Sequence, residues 1–299
     1  MASTRTRPPR TRSPRTRSPR TARSSRSHGW LTLTGLFILG ASLTWGLVIF
    51  LWSLTAHTGP PDPGDPTSPG TGTPSSTATG RIVAAAPAIP GASVPPTAAE
   101  DELAARPMPT AAPAASQPQP VVAVETTAPL PIPAPADPAA ALPTGFPRTP
   151  EGALGQLAAI DAAAFRDLHP ATVADVHARA SLPGAIPLSE WTPNVGVTAI
   201  LQAIGQPKGS AAVTATWTLT HAQIKGVLGG GDFVLACVLG ELDATYRSTA
   251  RAGVGDCQRM VWQDGRWHIG PGAQPAFAPS TWPGSADCVR AGWREARNA

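Results

Sequence analysis

The rhythm of polar and apolar positions changes three times along this chain. Residues 1–29 mix Arg with Thr, Ser and Pro and show no apolar period. Residues 30–54, WLTLTGLFILGASLTWGLVIFLWSL, carry no charge at all. A helix needs about 20 apolar residues to cross a bilayer core of about 30 Å, so this run predicts one transmembrane helix with some tilt. Trp30, Trp45 and Trp52 put amphipathic rings at or near its two ends, where headgroups lie. Residues 55–144 hold 21 of the 36 prolines, set among Ala, Thr, Ser and Gly. Proline at that density forbids both helical and strand periods, which predicts a disordered linker of polyproline II character. Stretched out it would reach roughly 280 Å. Within it only residues 98–106 favour a helix, and that stretch is too short to stand alone.

From residue 145 to 299 the pattern is that of one folded domain. Thr149-Pro150-Glu151 opens a helix with a capping hydroxyl, a proline suited to the first turn and an acid at the positive end of the dipole. Leu154, Leu157, Ala158, Phe165 and Leu168 follow at helical spacing, with Asp161 as the one interruption. Residues 171–180 predict a second helix. A third starts at Thr192-Pro193, runs through Val197, Ile200, Leu201 and Ile204, and stops at Gly205. Strict alternation of Val213, Ala215, Trp217 and Leu219 with threonines predicts a strand with one wet face. Further strands are expected over 232–246, 249–262 and 266–269, the last two joined by a tight Asp264-Gly265 turn. A Pro/Gly-rich stretch wraps back, and Ser285 caps a closing helix with Val289, Trp293 and Ala296 on one face and Gly292 inside it. Helices first and an antiparallel meander after them give an α+β domain, its helices packed on one face of a curved antiparallel sheet. By fold analogy this order matches a cone of the nuclear-transport-factor-2-like (NTF2-like) type.

Charge sets the topology. The tail holds Arg5, Arg7, Arg10, Arg12, Arg15, Arg17, Arg20, Arg23 and Arg26 and no acid, and the next cation after the apolar run is Arg81. The positive-inside rule therefore predicts a single-pass protein of the cell membrane with its N-terminus in the cytoplasm and its C-terminal domain outside. A cleaved signal peptide would have a shorter apolar core and a small-x-small site, and Leu54-Thr55-Ala56 lacks the first small residue. No two tail arginines are adjacent, which excludes a twin-arginine signal. The tail is suited to anionic lipid, each cation contributing about 1 kcal/mol near such a surface. Residues 145–299 balance twelve cations against twelve acids, so direct nucleic-acid binding by the outer domain is not expected.

Three cysteines fall on the predicted outer side, where disulfides persist. A hairpin turn centred on Arg247 would set Cys237 and Cys257 opposite each other, within disulfide reach. Cys288 would then stay single, buried in the last helix or paired between chains; a Cys257–Cys288 bridge is the alternative. Cys257 beside Asp256, with His221 or His268, is the one conceivable nucleophile–base set, but no spacing matches a catalytic elbow. No CxxC, HxxxH or acidic cluster suggests a metal, and Gly229–Gly231 lacks the Lys-Ser/Thr of a phosphate loop. The expectation is a protein that is not an enzyme and carries no cofactor. Asp161 alone deserves consideration as an acid in a cone-type pocket.

The words FPRTPEGALGQLAAID, DFVLACV and GDCQRMVWQDGRWHIGPGAQPAFAPSTWPGS resemble the outer domain of single-pass membrane proteins of actinobacterial integrative and conjugative elements. These look like the VirB8/TcpC-like components of type IV secretion channels. The resemblance covers about residues 145–285. It implies an NTF2-like outer domain and a non-enzymatic scaffold of a conjugative DNA-transfer apparatus. It also implies a homo-oligomer that assembles with other membrane subunits of a transfer or transport complex. Two rival readings share the layout: a Mce-associated accessory subunit of a lipid importer, and an extracytoplasmic small-ligand-binding cone domain. A deep apolar pocket with an acid inside would favour the last, and a pocket filled by Trp217, Phe233 and Trp262 would oppose it.

Overall fold

The computed structural model describes residues 95–122 and 127–299. The arginine tail, the apolar run with Trp30, Trp45 and Trp52, and the first part of the linker lie outside the described residues. Among the described residues no helix is long and apolar enough to cross a membrane.

Three helices form in the first half of the domain, where the sequence places them: α2 (Pro150–Phe165), α3 (Pro170–Ala180) and α4 (Thr192–Ala203), preceded in the chain by a short α1 (Ala98–Ala105). Thr149 caps α2 by accepting from the Gly152 N–H at 3.0 Å, with Pro150 at the first helical position. Twelve of the 16 residues of α2 are buried, so it is a central helix, apolar all round and not merely amphipathic. Its small residues let other chain segments close in. A Cβ on Gly152 would lie 1.9 Å from the Pro147 carbonyl oxygen, and one on Gly155 would lie 2.6 Å from the Phe146 ring.

The sheet has six strands in the order β1-β6-β2-β3-β4-β5. These are β1 (Leu130–Ile132), β2 (Thr214–Leu228), β3 (Phe233–Tyr246), β4 (Ser248–Gln263), β5 (Arg266–Ile269) and β6 (Arg294–Asn298). The register of β3 on β4 is centred on Arg247, whose φ of 59° makes the reversal, and Cys237 faces Cys257. Asp264 and Gly265 both take positive φ in the β4–β5 turn, as a tight hairpin of this type requires. β2 is one long strand with irregularities between Leu219 and His221 and between Ile224 and Gly226. Such bulges bend a strand and raise its twist, and the sheet curls into a half-barrel around α2.

The structure corrects the expected architecture in three places. The sheet is mixed and not antiparallel, because β1 runs parallel to β6. Leu130 and Ile132 face inward while Pro131 stays exposed on this edge strand, the one sheet position that tolerates proline. The closing helix is only α5 (Ala286–Arg290). Gly292 does not sit inside it: at φ 81° it ends the helix, its N–H donating to the Val289 carbonyl at 3.0 Å and the Trp293 N–H to the Cys288 carbonyl at 3.3 Å. That pair of bonds is a Schellman stop, after which the chain turns extended as β6.

The third correction concerns the linker. Its described part carries α1, a 3-10 turn (Pro113–Ser116) and β1; α1 packs on the sheet face opposite the helices, while β1 joins the sheet edge and turns Leu130 and Ile132 into the main core. Thr97 and Glu100 form a reciprocal capping box at the start of α1. Leu103 seats over Gly226, where a Cβ would come within 2.6 Å of it, and joins Phe233 and Leu235 in a small apolar cluster. Buried Arg259 reaches Asp101 of α1 at 2.8 Å, and Lys225 Nζ donates to the last carbonyls of α1, those of Ala104 and Arg106. Cations at the C-terminal end of a helix are favoured by its dipole. A helix too short to stand alone is thus held by tertiary contacts. Replacing Leu103 with Ala should therefore lower stability by about 2 kcal/mol or more in chemical unfolding. An unchanged midpoint would mean that this segment is a loose tether after all.

Candidate functional site

Alternation along β3 and β4 divides the side chains between two faces. Val234, Ala236, Val238, Leu242 and Met260 join the main core under the helices. Cys237, Leu239 and Cys257 point the other way and meet Cys288, Ala278, Ala291 and Trp293 of the C-terminal wrap. The sheet is therefore covered on both faces.

The disulfide Cys237–Cys257 lies on this outer face, its α-carbons 4.1 Å apart across the ladder. Cys288 is not part of it and is buried in the same cluster. The imagined nucleophile set does not assemble. Cys257 is bonded, Asp256 points to the opposite face, His221 is registered against Glu295 on β6, and His268 sits on β5 beyond β4. Among the described residues no group of three or more His, Cys, Asp or Glu is placed to hold a metal ion. Gly229–Gly231 forms a single 3-10 turn between β2 and β3.

On the helix side, Asp161 of α2 and Asp256 of β4 are both 1% exposed. Gln258, two residues along the same face of β4, donates from Nε2 to both carboxylate oxygens of Asp256 at 3.0 and 2.9 Å. Thr192, at the start of α4, lies beside Asp256 but its hydroxyl misses hydrogen-bond geometry. Neither oxygen of Asp161 has a hydrogen-bond partner among the described residues. Burial, and after it the charge of Asp256, pushes the Asp161 carboxyl well above the usual carboxylate range. Burial also pushes Asp256 up to about 6, opposed first by the Gln258 amide. Two carboxyls in one apolar site do not both ionise. Asp256 has the donors and holds the charge, while Asp161 is the protonated member.

This acid pair sits in a filled interior. Trp217 lies flat on Gly240, where a Cβ would come within 2.1 Å of the indole, and Trp262 stacks edge-on against Trp267 with ring centroids 5.3 Å apart. Phe233 belongs to the opposite face, with Leu103. Comparison with protein-family models, curated proteins and solved structures returns no match.

Asp161 was visible in the sequence as a break in an apolar helix face. Asp256 stood out only as the neighbour of Cys257 and not as the residue that meets Asp161, although Asp256 and Gln258 on alternate positions of a strand are the pattern of a polar pair on one face. The Arg259–Asp101 pair left no local signal, because its halves lie far apart in the chain.

Two outcomes follow from this geometry. The folded pair keeps protons that the unfolded chain releases from pH 3.8 upward, so its contribution to stability is complete below that pH and is lost as pH rises through 6 and beyond. Asp161→Asn should flatten the fall in melting temperature between pH 4 and pH 7.5 and raise the value at pH 7.5; a parallel pH profile for the two proteins would refute the assignment of the proton to Asp161. Removing the disulfide by Cys237→Ala with Cys257→Ala should cost about 3 kcal/mol in denaturant unfolding, the loop-closure value for a bridge of this span. The double variant should also lose the wild type's sensitivity to reductant.

Proposed function

We propose that this chain is a non-enzymatic, bitopic scaffold subunit of an envelope-spanning conjugative DNA-transfer apparatus of the type IV secretion kind. Its outer domain reads as an NTF2-like cone, with α2 lying in the concavity of a curled sheet. The observation that carries the proposal is the filled concavity. Where a cone-type enzyme or binding protein keeps its ligand cavity, this domain has Trp217 pressed on Gly240 and an acid pair sealed between α2 and β4. That arrangement favours a domain that works through its surface.

The disulfide supports an extracytoplasmic location for the domain, since such bonds persist in oxidising compartments. The charge-free run and arginine tail of the sequence supply the anchor and the inward end of that topology. The scaffold joins a homo-oligomer and other membrane subunits, with the tail on anionic lipid. Assembly with a lipid importer, as a Mce-associated subunit, requires the same topology and differs in the partner.

Cross-linking in intact membranes of the native host, followed by mass-spectrometric identification of the adducts, separates these readings. The expected adducts are a second copy of the chain and a transfer ATPase or its channel subunits. A permease of a lipid importer in their place would move the chain to the importer class. Recovery of the monomer alone would sink the scaffold reading.

A further inference from the structure

A cleft of about 530 Å³ opens between the end of α3, the β4–β5 turn and residues 140–144. It lies apart from the acid pair and plays no part in the scaffold reading. Leu142, Ala178 and Leu182 contribute apolar lining. Arg179 and Arg266 line the same cleft.

Both guanidinium groups are tied back through Nε. Arg179 Nε donates to the two carboxylate oxygens of Asp175 at 2.9 and 2.8 Å. Arg266 Nε donates to His268 Nε2 at 3.0 Å, which fixes that ring nitrogen as an acceptor and the ring as neutral. Burial, then the Arg266 charge, pushes the pKa of His268 down, which holds the ring in that form. An arginine pinned through Nε still presents its terminal N–H groups as a planar fork. Ser181 also lines the cleft, with its hydroxyl oxygen turned away from solvent.

The charges around the cleft limit what it can take. Arg179 is paired with Asp175, whereas Arg266 forms no ion pair among the described residues, so one guanidinium fork is left for an anion and a doubly charged phosphate would be under-compensated. A carboxylate is a planar monoanion whose two oxygens match a guanidinium fork. The apolar lining then suits whatever apolar group the carboxylate carries. The geometry points to a binding site for a carboxylate borne on a short apolar group, with Arg266 as the fork and Arg179 as the second cation. Such a group is offered by a free alkyl carboxylic acid and by the C-terminus of a peptide ending in an apolar residue.

Equilibrium dialysis of the full chain in nanodiscs of zwitterionic lipid, against radiolabelled hexanoate and with empty discs as the blank, tests this. Saturable binding is expected, displaced by unlabelled hexanoate and not by neutral hexanamide or by inorganic phosphate. Arg266→Lys keeps the charge and loses the fork, and should weaken binding by about tenfold or more with an unchanged melting temperature. A peptide ending in a leucine free acid that competes better than hexanoate, while its amidated form does not, identifies a peptide terminus as the source; hexanoate as the stronger competitor identifies a small acid. No saturable binding by the wild type, displacement by hexanamide, or undiminished binding by Arg266→Lys would overturn the assignment. The competition with hexanamide needs no variant, and none of these results bears on the cross-linked partners of the scaffold.

Discussion

The unbroken ladder between β3 and β4 is the constraint on which the rest of the domain depends. Fourteen consecutive pairs run from Phe233–Val261 to Tyr246–Ser248 without a bulge, so the alternation of side chains never slips between the two faces. A one-residue shift would send Asp256 and Gln258 outward and bring Cys257 and Arg259 under the helices. The disulfide closes this ladder near its middle and fixes the register covalently. With the register fixed, the inner face is committed to α2 and the acid pair, and the outer face to α1 and the C-terminal wrap.

The two faces are finished differently. Inside, small residues of α2 and Gly240 under the Trp217 ring let large rings and backbone approach closely, and of the two acids only Asp256 is hydrogen-bonded, to Gln258. Outside, the covering chain comes from both ends of the described region. Ala276 N–H donates to the Ala104 carbonyl and Trp282 N–H to the Ala115 carbonyl, so the incoming segment and the C-terminal wrap hold each other. The Trp293 indole, donating to the Pro279 carbonyl at 3.1 Å, pins the wrap to itself just before β6.

Much of this was legible in the sequence where the signal is local. The capped start of α2, the Thr192-Pro193 start of α4, the threonine alternation of β2 and the turn at Asp264-Gly265 all depend on neighbours within a few positions. Arg247 as the hairpin centre favoured Cys237–Cys257 over the Cys257–Cys288 alternative, and the observed register decides for it. What the sequence hid depends on distant partners. A proline-rich segment reads as solvated until Gly226 and Arg259, far along the chain, provide the seat for Leu103 and Asp101. Gly292 carries the same letter whether it weakens a helix or ends one, and only the sheet position waiting for β6 decides between them. The acid pair was half visible, because a lone Asp on an apolar helix face can be seen but the strand residue that meets it cannot.

The clamp between Asp101 and Arg259 also decides which part of the domain receives the incoming chain. Asp101 of α1 is bound to a β4 residue two places beyond the cysteine that closes the ladder. The segment that enters the domain is thereby attached to the stapled strand pair, on the face away from the helices.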